Sequence, residues 1–392
     1  MRTLRAWTAI AALTLFVFLV ISPLAAQSRS QGQEYLVYFG TYTRPSASKG
    51  IYAYRFQPAT GKLTPIGLAA ETPNPSFLVY HPNGRFLYAA NEREEGDDQG
   101  KNDSVTAFAI DKATGKLTLL NKVPARGGMP CHLTIDKTGK FLLVANYGTG
   151  SVAAFPIQQD GRLGAATGFV QHTGSSVDKN RQQGPHAHFI SPSPDNRFAL
   201  TADLGLDQVI EYRFDASKGT LTDGPAAAKL RPGSGPRHLA FHPTAKYVYV
   251  NGEMASTLST FSYDASTGAM KELQTVSTLP NGFSGTSSTA EVQVDRTGRF
   301  VYVSNRGHDS IAIFAIDPAK GTVTPAGHAS TNGKTPRYFT LDPSGNYLLA
   351  ANQNSSSVTV FRVDAKTGGL TPAAQTLTDV PQPVTIVFVP AT

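Results

Sequence analysis

The sequence predicts an all-β protein: a seven-bladed β-propeller whose ring is closed by N- and C-terminal strands sharing one blade. Three observations carry this. First, a turn pattern recurs seven times: an acidic or polar residue, small residues, Gly, then Leu, Val or Met. Its glycines are Gly61, Gly115, Gly161, Gly219, Gly268, Gly321 and Gly368, spaced roughly 51 residues apart, in the range of propellers and solenoids. Second, a strand–turn–strand pattern recurs out of phase with the first. Third, each chain end supplies half a blade. Seven units that each need a neighbour to bury their faces close into a ring.

Taken in order, the chain opens with Arg2 and Arg5, an apolar run from Ala6 to Ile21, and Ser22-Pro-Leu-Ala-Ala26. That is the layout of a secretory signal. The apolar run is short for a membrane span. Residues 1–26 are therefore expected to be removed, leaving a propeller over 33–392 in the periplasm or outside the cell, with no stable membrane association.

Gln33 to Thr43 then reads as a second strand without a first. Gly50-Ile-Tyr-Ala-Tyr-Arg-Phe56 is a third strand, and the turn at Gly61 leads to a fourth. Pro75-Ser-Phe-Leu-Val-Tyr-His-Pro-Asn-Gly-Arg-Phe-Leu-Tyr-Ala-Ala-Asn91 opens the next blade. Its two alternating stretches are strands. Between them lies a tight turn, with Pro fixing φ and Gly taking the positive-φ position. The unit returns at Pro130 to Asn146, Pro185 to Asp203, Pro236 to Glu253 and Pro336 to Asn352, with a weaker copy from Ala290 to Asn305. Pro383-Val-Thr-Ile-Val-Phe-Val389 is a first strand without a second, so the two ends complete one blade and leave no free edge.

Composition removes several classes. The formal charge of +7 is modest and its Lys and Arg are scattered, so no nucleic-acid partner is expected. Cys131 is the single cysteine, which excludes an internal disulfide. Trp7 is the single tryptophan and lies in the signal, so the Trp-Asp blade motif is absent. The acidic stretch from Glu92 to Asp103 lacks the ligand spacing of an EF-hand loop and reads as a solvated loop. No metal or cofactor is expected, and a monomer is.

Chain direction decides which residues share a face. The residue after the Pro opens strand 1 and the residue after the terminal Asn leaves strand 2, so both lie at one mouth of the ring. The strand-1 ring is Ser76, Cys131, His188, Arg237, Ala290, Arg337 and Val384. The exit ring is Thr41, Glu92, Tyr147, Leu204, Glu253, Arg306 and Gln353. Structural positions would repeat one residue type, as the turn Gly does. These do not, and positions that break a consistent pattern mark function. A concave mouth with a few converging polar groups is the default site.

Here the chain resembles the lactonase-family propellers, which include bacterial 6-phosphogluconolactonases and fungal carboxymuconate cyclases. The resemblance rests on Gly40-Thr-Tyr-Thr43, Gly184-Pro-His-Ala-His188, Asp203-Leu-Gly-Leu-Asp207, Gly235-Pro-Arg-His238, Asn305-Arg-Gly-His-Asp-Ser310 and Thr335-Pro-Arg337. It implies a site of one His, two Arg and one Glu, falling on His188 (or His186), Arg237, Arg306 and Glu253. The family pattern has Asn directly before that Glu; here Gly252 stands between Asn251 and Glu253.

Those residue types suit lactone hydrolysis, which needs an activated water and a stabilised oxyanion. The resemblance casts Glu253 as general base, with Glu92 as the rival. Arg237 and Arg306 would hold the oxyanion and an anionic substituent, and His188 would protonate the leaving ring oxygen. His186, Arg337, Glu92 and Tyr147 are candidates for substrate contact. No Gly-x-Ser-x-Gly motif occurs, so water attacks directly. His81, His238 and His242 read as turn elements, and Asn91, Asn146, Asn305 and Asn352 as strand-end caps. The expected partner is a small anionic lactone or sugar acid, unphosphorylated if the chain is exported. Two alternatives stand: a muconate-cyclase-like lyase, and a non-catalytic ligand- or protein-binding propeller.

Overall fold

A computed structural model describes residues 33–92, 103–225 and 228–392. The proposed signal and all but the ends of the acidic stretch lie outside the described residues. Within them, seven antiparallel sheets are formed. Six have four strands, and one carries a short fifth, Ala228–Lys229. First strands of successive blades touch in cyclic order, the last against the first, which closes the ring. No described helix is long and apolar enough to cross a membrane.

Closure follows the expectation from the chain ends. Pro383–Pro390 pairs with Tyr35–Thr41, running from Tyr35 opposite Pro390 to Thr41 opposite Pro383. Gly50–Gln57 and Lys62–Glu71 complete that first blade. The other blades open at strands Pro75–Tyr80, Pro130–Ile135, Ala187–Pro192, Pro236–Phe241, Ser288–Val294 and Pro336–Leu341.

The two sequence patterns meet between blades. Gly161, at φ +86°, lies against the Phe86 ring of the preceding blade, where an added Cβ would come within 2.3 Å of the ring. Gly219 sits on Phe141 in the same way. The turn therefore needs glycine twice over, for its backbone angle and for the close approach. This contact packs the outer turn of one blade over the aromatic that opens strand 2 of its neighbour. His81 and His242 add inter-blade links through Nε2, to the Gly139 and Gly298 carbonyls at 2.8 and 3.0 Å. Phe155, Phe261 and Phe314 are fully buried in clusters that bridge adjacent sheets. Each such burial contributes about 1.5–3 kcal/mol.

At the axial end of each first strand the ladder breaks. The register skips Ser76, Cys131, His188, Arg337 and Val384 in five blades. It skips Arg237-His238 and Ala290-Glu291 in the other two. Unpaired bulge residues bend the strand and re-aim a side chain. The seven residues aligned by sequence are thus the bulged positions, which turn them toward the mouth.

Candidate active site

The exit positions are held by backbone bonds. The amides of Glu92, Tyr147, Leu204, Glu253 and Gln353 donate to Asn74, Met129, His186, Gly235 and Thr335 carbonyls at 2.7–3.1 Å. Glu253 therefore keeps the common aim despite Gly252. That glycine is required locally, because a Cβ would lie 2.5 Å from Thr257 Oγ1. The strand-end asparagines are occupied as caps: Asn91, Asn146, Asn305 and Asn352 donate to carbonyls of Pro73, Ala125, Thr278 and Thr331.

These positions enclose a cavity of about 610 Å³ at one mouth, which Glu92, Tyr147, His188, Glu253, Arg306 and Arg337 line. Beneath it lies a plug of rings packed tilted or edge-on: Phe77, His132, Phe189 and His238 have centroids 4.1–6.3 Å apart. Arg237 lies beneath the mouth, beside His238 and Tyr338.

Glu253 is the hub. Its Oε2 lies 3.1 Å from Arg237 Nε and 3.0 Å from Arg306 Nη2, and its Oε1 accepts from Arg181 Nη2 at 2.8 Å. Burial by itself would raise this carboxyl. The Arg306 and Arg237 guanidiniums overcome burial and hold it far below the usual carboxylate range. Both arginines are also committed to backbone: Arg237 Nη1 donates to the Ala290 carbonyl at 2.5 Å and Arg306 Nη2 to the Thr289 carbonyl at 2.7 Å.

Arg337 differs. Among the described residues it has no ion pair and no hydrogen bond; its guanidinium carbon sits 5.3 Å over the Tyr42 ring, a cation–π contact. Tyr42 OH donates to Glu92 at 3.0 Å. His188 is buried, with Nδ1 3.7 Å from Cys131 Sγ and no protein partner at Nε2 among the described residues. Burial, then the Arg237 charge, hold its pKa well below the ordinary imidazole value, so it is neutral at pH 7.

Comparison with known proteins now bears on the site. The family model "Lactonase, 7-bladed beta-propeller" matches residues 36–388. The chain belongs to this lactonase family. It is 38% identical over 309 residues to a 6-phosphogluconolactonase of Bacillus subtilis, covering 79% of this chain and 85% of that one. It is 34% identical to a 6-phosphogluconolactonase of Formosa agariphila, with 78% and 86% covered. The solved periplasmic gluconolactonase PpgL of Pseudomonas aeruginosa superposes with a TM-score of 0.85 at 33% identity, over 92% of this chain and 100% of that one.

Several expectations from the sequence meet a different placement in the structure. His186 does not line the cavity: its ring stacks on Tyr147 at 4.5 Å and its Nδ1 meets the Tyr147 carbonyl at 2.9 Å. Its contacts here are with Tyr147. His238 is no turn element. It lies on the axis, with Nδ1 2.8 Å from Glu291, a buried acid that burial pushes up to about 8. The expected exit residue Thr41 is buried against Ser48 and Gly50, and Leu204 is buried as well; Tyr42 faces the cavity instead.

Several lining residues escaped sequence reasoning, Tyr42 and Arg181 among them. Tyr42 lies inside the quoted Gly40–Thr43 stretch, one place after the aligned position. Arg181 lies in the connection 172–186, the longest link between blades among the described residues. That departure from the repeat was its legible signal.

Proposed function

We propose that the protein is an exported lactone hydrolase that opens a sugar δ-lactone at this mouth, with His188 handling the proton and Arg337 the oxyanion. The observation that carries this reading is the pairing state of the site. Among the described residues Arg337 is a lining guanidinium with no protein acceptor, and His188 is a neutral imidazole with no protein partner at Nε2. Export is supported by the layout of residues 1–26 and by likeness to a periplasmic gluconolactonase.

In this mechanism the lactone carbonyl oxygen is received by Arg337, a donor with more than one N–H to offer. Water attacks the carbonyl carbon and its proton passes to His188 Nε2. The charge that forms on the carbonyl oxygen stays at Arg337, in a partly dry site where such a contact is strong. Collapse of the tetrahedral intermediate breaks the bond to the ring oxygen, which takes the proton back from His188. The product is an open-chain hydroxy acid that ionises to its carboxylate. The imidazolium formed in between is stabilised by the nearby Glu253 charge.

Glu253 is better suited to anchor than to base. A carboxylate shared by three guanidiniums takes up a proton poorly, and it keeps Arg237 and Arg306 from repelling the imidazolium. Arg237 and Arg306 act through Glu253, as its fixed counter-ions. Glu92, which accepts from Tyr42, adds a negative charge near Arg337.

The test is pH-stat hydrolysis of glucono-δ-lactone and 6-phosphoglucono-δ-lactone by the mature chain, above the spontaneous rate, with EDTA and Arg337→Ala as controls. Turnover that survives EDTA and is lost with Arg337→Ala is the expected result. No acceleration of either lactone would reject the reading.

A further inference from the structure

Arg181 is held out over the mouth by a loop that has little else to do. Asp178 Oδ1 accepts from the amides of Asn180 and Arg181 at 2.7 and 2.9 Å. Gln182 is fully buried: its amide reaches the Asp178 carbonyl, its Oε1 accepts from the Asp178 amide, and its Nε2 donates to the Leu204 carbonyl. Ser176 Oγ donates to Asp207 at 2.6 Å. At the root of the loop, His172 is clamped between Asp203 and Tyr212. So many tethers fix one backbone position, from which the Arg181 side chain lies across the cavity wall.

The three guanidiniums on Glu253 differ in depth. The side chains of Arg237, Arg306 and Arg181 are 4%, 14% and 44% exposed. Arg237 and Arg306 already surround one carboxylate oxygen. Arg181 takes the other through Nη2, which also donates to Tyr147 OH at 3.2 Å. Its Nη1 and Nε have no protein partner among the described residues. One negative charge thus meets three positive ones, and the outermost keeps part of its fork open to the cavity. An arginine fork of this kind takes planar or tetrahedral oxyanions.

We propose that Arg181, with Tyr147 beside it, is a subsite for an anionic terminal group of the substrate, a phosphate ester or carboxylate on the carbon farthest from the lactone carbonyl. The proposal rests on the lactonase reading above and deepens it. Arg181 lines the same cavity as Arg337 and His188 and is the most exposed of the three guanidiniums on Glu253, so with the carbonyl at Arg337 and His188 it is left for the far end of the lactone. Arg181 touches no reacting atom there, so discrimination between anionic and neutral lactones is read in affinity, while its bond to Glu253 bears equally on all of them.

The experiment compares wild type, Arg181→Ala and Arg181→Lys on three lactones: neutral glucono-δ-lactone, its 6-phosphate, and a glucaro-lactone bearing a terminal carboxylate. Calorimetric titration with 6-phosphogluconate and gluconate accompanies it, and melting curves check folding. Arg181→Ala is expected to raise KM for the anionic lactones at least tenfold more than for the neutral lactone, any effect on kcat through Glu253 being common to all three. Arg181→Lys should recover part of the loss. In titration, the variant should bind 6-phosphogluconate tenfold more weakly and gluconate as wild type does. Arg181-dependent anion binding without any lactone turnover would uphold the subsite and sink the lactonase reading. An equal effect on all three lactones, or no effect on 6-phosphogluconate binding, would overturn the proposal.

Discussion

Arg237 Nε lies 3.1 Å from Glu253 Oε2, with both side chains almost wholly buried, and Arg306 approaches the same oxygen at 3.0 Å. On the proposed reading this pairing makes Glu253 an anchor in place of the expected base. Two kinds of role then separate by experiment.

If Glu253 is an anchor, Glu253→Gln leaves buried guanidiniums without compensation. Loss of one partner from a buried pair costs about 3–5 kcal/mol, which urea denaturation measures. Residual activity should keep the wild-type pH profile. Disappearance of the acid limb of kcat/KM, with stability unchanged, would restore Glu253 as the base.

Arg337 should behave in the opposite way. Among the described residues it has no ion pair to break, so Arg337→Ala is expected to shift stability by less than about 1 kcal/mol. Its removal should lower kcat by about 10²–10³, as loss of an oxyanion donor does. A KM effect alone would place Arg337 in ground-state binding.

His188→Gln is expected to reduce kcat by about 10²–10⁴. Because burial and Arg237 hold the wild-type imidazole neutral, kcat/KM should stay flat from neutral pH down past the ordinary histidine pKa of about 6.5. It should fall only in more acidic solution. A midpoint at or above that ordinary value would show that the imidazolium is not the disfavoured form.

Glu211 gives a pH-dependent stability. In three blades a strand-2 tyrosine donates to the turn-glycine carbonyl of the next blade: Tyr88 to Gly161, Tyr249 to Gly321 and Tyr302 to Gly368. In the fourth blade that tyrosine is Leu200, and Glu211 faces it across the ladder. The carboxyl lies so near Gly268 that an added Cβ would stand 2.6 Å from its Oε2. Burial pushes its pKa up to about 8. The native state therefore keeps a proton that the unfolded chain loses near pH 4.3, the ordinary value of about 4.3 for Glu. Stability is full below that pH and falls as pH rises toward about 8. Melting temperatures of wild type should decline across this window, and Glu211→Gln should flatten the decline. A parallel decline in both would remove Glu211 as its source.

Deleting residues 383–392 removes the strand that pairs along Tyr35–Thr41. It exposes an apolar edge and opens the ring. Loss of soluble protein is expected; a soluble, active truncation would show that the ring does not depend on this strand.

Much of the fold was legible because local rules repeat. Each turn glycine and each strand-2 aromatic announces itself in sequence, and their contact, as between Gly161 and Phe86, is what stacks the blades. The ring positions were legible too, since Ser76, Cys131, His188 and Arg337 share one place in the pattern. That this place is a bulge was not visible, because a bulge is a property of pairing between strands. His186 shows the same limit: it stands in the same motif as His188, yet one ring faces the cavity and the other supports Tyr147.

The sequence by itself determined the blade count, the closure and several of the side chains that line the mouth, since period and turn chemistry act over a few neighbouring residues. Only the tertiary structure decided which charges neutralise one another. Arg181, Arg237 and Arg306 come from three parts of the chain to one carboxylate, and Arg337 is left over. Ion pairing and desolvation act over about 3–4 Å in space, and residues that far apart in sequence meet only when the ring closes.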